Sequence, residues 1–196
     1  MALMTVSTGK YNFNLQGCLN EKIYKVYTGG LVMNDNQKDT LVTWLKDAYA
    51  MEQGIVEILE RQIGQLDDMP DAREKVMQHL ELTKTQAERV KACVERLGDD
   101  VSTTKSAIAN VLGAMQGMST AMANDRVVKN AMADYAIEYF EIASYMVLVN
   151  AARELGHEEI ASICETIIME EQDMADWLEE QLPMLTSQHL LTAVRS

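Results

Sequence analysis

The sequence predicts an all-α protein: an up-down four-helix bundle with a helical crossover between helices two and three. Three observations carry this. The 196-residue chain has only two prolines, Pro70 and Pro183, few aromatics and abundant Ala, Leu, Glu, Gln and Met, a composition that favours helix. Apolar residues recur at alternating steps of three and four in long segments. A helix of roughly 28 residues spans about 42 Å, which is bundle length. The 47% apolar content suits one soluble domain with a real core.

Residues 1–37 stand apart as an N-terminal arm. They hold Gly9, Gly17, Gly29, Gly30 and several Asn, and show no sustained helical period, although Asn20 to Tyr27 could form a short helix. The bundle is expected over 38–185. Asp39 can cap the first helix, whose stripe is Leu41, Leu45, Ala48, Glu52, Ile55, Leu59, Gln62 and Leu66. Asp67, Asp68 and Pro70 mark a turn, and Pro70 suits the first turn of the second helix. That helix runs through Val76, Leu80, Thr83, Ala87, Val90, Val94 and Leu97 to Gly98.

Between Asp99 and Asp125 the chain is rich in small residues and methionine, with Gly113 and Gly117 spaced for close helix approach. Such a segment can cross the bundle and contain its own helix. The third long helix is expected from about Asp125 to Leu155, before Gly156. The fourth is expected from about Glu158 to Gln181, before Pro183, leaving 186–196 as a C-terminal tail.

A formal charge of −13 disfavours nucleic acid and anionic membrane surfaces, which are bound through Lys and Arg. Cys18, Cys93 and Cys164 show neither CxxC nor zinc-ribbon spacing and read as reduced thiols, with Cys93 and Cys164 as small core fillers. The N-terminus lacks the apolar run of a secretory signal, and no stretch approaches a membrane span. The expected compartment is the cytoplasm.

The chemistry lies in acids that interrupt the apolar stripes. Glu52 falls inside the first. Val127, Ala131, Asp134, Glu138, Glu141, Tyr145, Leu148, Ala152 and Leu155 form the third helix's stripe, with Glu138 and Glu141 one turn apart on the inward face. Ile160, Cys164, Ile167, Glu171, Met174, Leu178 and Leu182 form the last, and Glu171 continues it better than Glu170. Buried carboxylates are costly unless paired or coordinating a cation.

Iron and hard divalent cations prefer carboxylate oxygen, with imidazole as nitrogen donor. His79, on the inward face of helix two beside Leu80, Thr83 and Gln86, is the available imidazole. The candidate metal ligands are therefore Glu52, His79, Glu138, Glu141 and Glu171, with Glu170 less favoured. Taken singly, each acid also fits a helix-edge residue reaching water, and His79 fits a hydrogen-bonded packing residue. Four acids at matching depth fit the plain readings less well. Asp134 suits a supporting or mouth position, Tyr49 and Tyr145 could hydrogen-bond the carboxylates, and Glu81 points to solvent.

The segments Leu45–Glu52, Gln78–Gln86, Glu138–Tyr145 and Glu170–Leu178 resemble the YciE/YciF-type bacterial ferritin-like stress proteins, with the MADWL run closer to the YciE branch. The resemblance covers about residues 40–185. It implies a ferritin-like bundle paired as a homodimer, acidic positions matched by Glu52 and Glu171, a possible dimetal centre and a link to general or oxidative stress. This chain departs from it in having Leu82 where relatives have Glu, Ala175 where they often have Asp, and no Glu-x-x-His on helices two and four. A mononuclear or asymmetric carboxylate site accommodates these departures.

Two function classes follow. In one, Fe or Mn is held by bridging Glu138 and Glu141, terminal Glu52 and Glu171, and His79 or water, for peroxide or dioxygen chemistry or for iron binding. In the other, a metal-free structural or partner-binding stress protein keeps the cluster by hydrogen bonding and proton sharing.

Overall fold

The computed structural model describes residues 35–102 and 125–193. Four α-helices make up the described residues: α1 (Asp35–Ile63), α2 (Pro70–Arg96), α3 (Arg126–Glu154) and α4 (Glu158–Ala193). α1 packs with α2 and α3 with α4 as two hairpins, while α1 lies against α3 and α2 against α4. The fold class predicted from the sequence is the one observed.

Cross-helix contacts fix the directions. Lys84 meets Glu60 and Lys46 meets Asp99, so α1 and α2 are antiparallel. Tyr145 meets Glu52 and Gln62 meets Asp134, which makes α1 and α3 antiparallel as well. It follows that α2 and α3 run parallel, and the chain between them starts and finishes at opposite ends of the bundle. The helix expected in this crossover falls on residues 103–124, outside the described residues, as do the arm before residue 35, Cys18 and the Gly113–Gly117 pair.

The helix ends follow local chemistry. Pro70 opens α2 at a position whose N–H would have no helical partner. Gly98 at φ 82° closes α2, and Gly156 at φ 75° closes α3. At each, the glycine N–H and the next N–H return to carbonyls of the last turn, as Gly98 N to Glu95 O at 2.9 Å and Asp99 N to Val94 O at 3.3 Å. α1 begins at Asp35, a turn before the expected cap at Asp39, whose carbonyl instead receives the Thr43 hydroxyl at 2.8 Å.

The last helix differs more. It passes through Pro183 and continues to Ala193, so the expected stop before Pro183, and the expected tail from residue 186, are replaced largely by helix. Pro183 lies on the solvent side, and Leu182 just before it and Leu185 beyond it pack against Ala131, Met174 and Leu178. That burial offsets the hydrogen bond Pro183 cannot donate to the Glu179 carbonyl.

Two apolar clusters fill the interior. The larger joins Leu41, Leu45, Val90, Cys93, Leu148 and Cys164 with further residues of all four helices, and the smaller contains Ala131, Met174, Leu178 and Leu185. Cys93 and Cys164 are fully buried free thiols. Among the described residues, no helix is long and apolar enough to cross a membrane.

Candidate metal centre

Between these clusters the stripes turn acidic, and the helix register brings the acids together. Glu52 from α1, Glu138 and Glu141 from α3 and Glu171 from α4 are all at most 2% exposed, and His79 from α2 is 4% exposed. Ligand atoms of His79, Glu138 and Glu171 all lie within 4.8 Å of one another. His79 Nε2 is 3.3 Å from Glu138 Oε1 and 3.8 Å from Glu171 Oε2. Glu141 and Glu52 continue the acidic layer towards Tyr145.

Part of this layer is tied down. The Tyr145 hydroxyl donates to Glu52 Oε1. Gln86 donates its amide to Glu171 Oε1 and, at 3.1 Å, to Glu170 Oε2, which also accepts from Arg89. Glu170 is thus turned to the bundle edge in an ion pair and is not part of the inner group. At the other end Gln62 donates to Asp134 Oδ1 at 2.8 Å, one turn before Glu138. Tyr49 packs against the apolar core, and exposed Glu81 pairs with Lys84 at 3.0 Å.

What is left over is informative. Glu52 Oε2, His79 Nε2, Glu138 Oε2, both oxygens of Glu141 and Glu171 Oε2 are buried without a hydrogen-bond partner. Burial pushes Glu138 up to about 8 and Glu171 up to about 9, and holds Glu52 and Glu141 well above the ordinary carboxylate range. Burial also lowers His79 despite the charge of Glu171, favouring the neutral imidazole that can ligate a metal.

Of the five favoured candidates, His79, Glu138 and Glu171 meet within 4.8 Å, Glu52 and Glu141 are buried in the adjoining part of the layer outside that group, and Glu170 turns to the bundle edge. Positions 82 and 175 add no carboxylate: Leu82 is half-buried and Ala175 fully buried. Sequence reading placed Gln86 on the inward stripe but did not give it or Arg89 a role. The available signal was a buried-stripe amide seven residues after His79, a polar interruption like the acids themselves.

Residues 36–191 match the family described as a domain of unknown function, DUF892. The chain belongs to this family. It is the YciE/YciF-type ferritin-like group that the sequence segments resemble. A Xanthomonas campestris protein of solved structure is 35% identical over 80% of this chain and 98% of its own, with a TM-score of 0.69. The E. coli stress protein YciF is 21% identical, covering 77% of this chain and 97% of its own, with a TM-score of 0.67. Desulfovibrio desulfuricans bacterioferritin, solved with its diiron site in different catalytic states, is 20% identical over 84% of this chain and 91% of its own, with a TM-score of 0.66. These last two likenesses concern the fold.

Proposed function

We propose that this protein is a ferritin-like stress-response protein that binds Fe or Mn in its acidic core, in a cytoplasmic homodimer. The observation carrying the metal reading is the set of buried, unpartnered ligand-type atoms on Glu52, His79, Glu138, Glu141 and Glu171. A divalent cation offsets both their desolvation and their mutual repulsion, which protein hydrogen bonds leave unmet. The bacterioferritin neighbour has a diiron site on the same fold, and the YciF neighbour is a stress protein.

Glu138 and Glu141 from α3, Glu52 from α1 and Glu171 from α4 would hold the ion through oxygen, and His79 would supply nitrogen. Bound Fe or Mn supplies a redox-active Lewis acid suited to peroxide or dioxygen. Tyr145 orients Glu52, and Gln86 orients Glu171. The large apolar cluster excludes bulk water from one side of the layer.

A second reading has its own observation. Burial raises Glu138 to about 8 and Glu171 to about 9, so the acidic layer can hold protons in place of a cation. A metal-free structural or partner-binding protein could retain the cluster in this way.

Elemental analysis of protein purified without chelator or affinity metal, followed by anaerobic Fe(II) and Mn(II) titration and peroxide addition, separates the readings. One or two ions per chain with peroxide turnover supports the redox reading, and binding without turnover supports iron binding alone. No stoichiometric metal, together with unchanged metal content and stability in a Glu138→Ala, Glu141→Ala variant, selects the metal-free reading.

A further inference from the structure

Where α1 turns into α2, the helices enclose a cavity of about 550 Å³, within the size range of small-molecule sites. Much of its wall is apolar: Met69, Val76, Val127, Trp177, Leu178 and Leu185 contribute to it. The stretch of α4 beyond the expected stop helps build this wall. Asp134 is set into it, with Oδ1 held by Gln62, and exposed Asp68 and Asp71 also line it.

Among the described residues, no Lys or Arg side chain lines the cavity. Lys75 lies 6.0 Å from the centroid of the Trp177 ring and is not part of the lining. Acid without counter-charge, next to an indole and aliphatic side chains, matches the recognition chemistry of an organic cation. The apolar wall takes up hydrocarbon, and the carboxylate takes a charge-assisted hydrogen bond from an ammonium group. An organic anion would meet Asp68, Asp71 and Asp134 together.

We propose that this cavity binds a small apolar amine, its ammonium on Asp134 and its body against Trp177, Leu178 and Leu185. Asp134 is one helical turn from Glu138, so the occupant lies beside the acidic layer without sharing its ligands. Binding does not require the metal reading to hold.

The test titrates 4-methylbenzylamine into the full-length, metal-free protein at pH 7.5 by calorimetry, with 4-methylbenzyl alcohol and 4-methylbenzoate as matched probes. The amine is expected to bind at least about tenfold more tightly than the alcohol, and the benzoate more weakly than both. Asp134→Asn, close to isosteric, should erase the preference for the amine and leave the alcohol unchanged. Gln181→Trp, which fills the cavity from its rim, should abolish binding of both. Equal affinity for amine and alcohol, an unchanged preference in Asp134→Asn, or no saturable amine binding by wild type overturns the proposal. Circular dichroism checks the fold of both variants. If Asp134→Asn fails to fold, Gln181→Trp and the probe ranking decide, and amine binding undiminished by Gln181→Trp counts against the cavity.

Discussion

His79 Nε2 lies 3.3 Å from Glu138 Oε1, yet neither His79 Nε2 nor Glu138 Oε2 has a hydrogen-bond partner. The pair is close enough for a common ligand and poorly aligned for a direct bond. It joins the two hairpins at the level where the bundle interior changes from apolar to acidic.

The metal-free protein should lose stability as pH rises. Glu138 at about 8 and Glu171 at about 9 hold protons in the fold that the unfolded chain releases near the ordinary value of 4.5. Their contribution is fully present below about 4.5 and is lost as pH rises through the raised values. Asp134, raised by burial to about 6, acts with the same sign. Thermal melts between pH 5 and pH 9 should show a falling midpoint, which added Mn(II) flattens. A midpoint that climbs across this range contradicts the buried, proton-holding layer.

Glu141→Gln should separate stability from metal binding. Both Glu141 oxygens lack partners, and Glu171, Glu52 and Glu138 all raise its proton affinity. Removing the ionisable group should stabilise the metal-free protein by about 1 kcal/mol at pH 8, while weakening Mn(II) about tenfold or more. Denaturant unfolding and metal titration measure the two effects, and lower metal-free stability with unchanged affinity would sink this assignment.

Tyr145→Phe removes the donor to buried Glu52 and should destabilise the protein by about 1–3 kcal/mol. Without that hydrogen bond, Glu52 should also hold its proton to still higher pH. Urea unfolding tests the first expectation. Side-chain carboxyl NMR tests the second, and a Glu52 titration unmoved by the substitution would exclude the contact.

Pro183→Ala should stabilise α4, because the new N–H can bond to the Glu179 carbonyl. A gain of about 1–3 kcal/mol is expected in unfolding free energy, as the exposed proline interrupts a helix that continues on both sides. An unchanged or lower melting midpoint would mean that the segment beyond Pro183 contributes nothing to the bundle.

Much of the bundle was legible because its period survives the acids: Glu52, Glu138, Glu141 and Glu171 occupy the stripe positions that Leu or Ile hold elsewhere. Gly98 and Gly156 were legible as stops for a local reason, a left-handed residue that only the last turn requires. Pro183 misled because its helix-breaking tendency is local, whereas the burial of Leu185 that carries the helix past it depends on Ala131 in another helix. Arg89 and Gln86 were hidden for the same kind of reason. Their partners, Glu170 and Glu171, lie more than 80 positions away, and no spacing along α2 records them.

The two-hairpin architecture also divides the acidic layer between parts that can fold by local contacts. Glu52 and His79 belong to the first hairpin, and Glu138, Glu141 and Glu171 to the second. Each hairpin closes through a short connection, a rapid event, while Glu52 and His79 meet the three acids of the second hairpin, and the whole layer is buried, only when the halves dock. Docking is thus the step at which protons or cations should control the folding rate. Separated into two polypeptides at the crossover, the protein would become a reporter whose halves associate in response to what fills the layer between them.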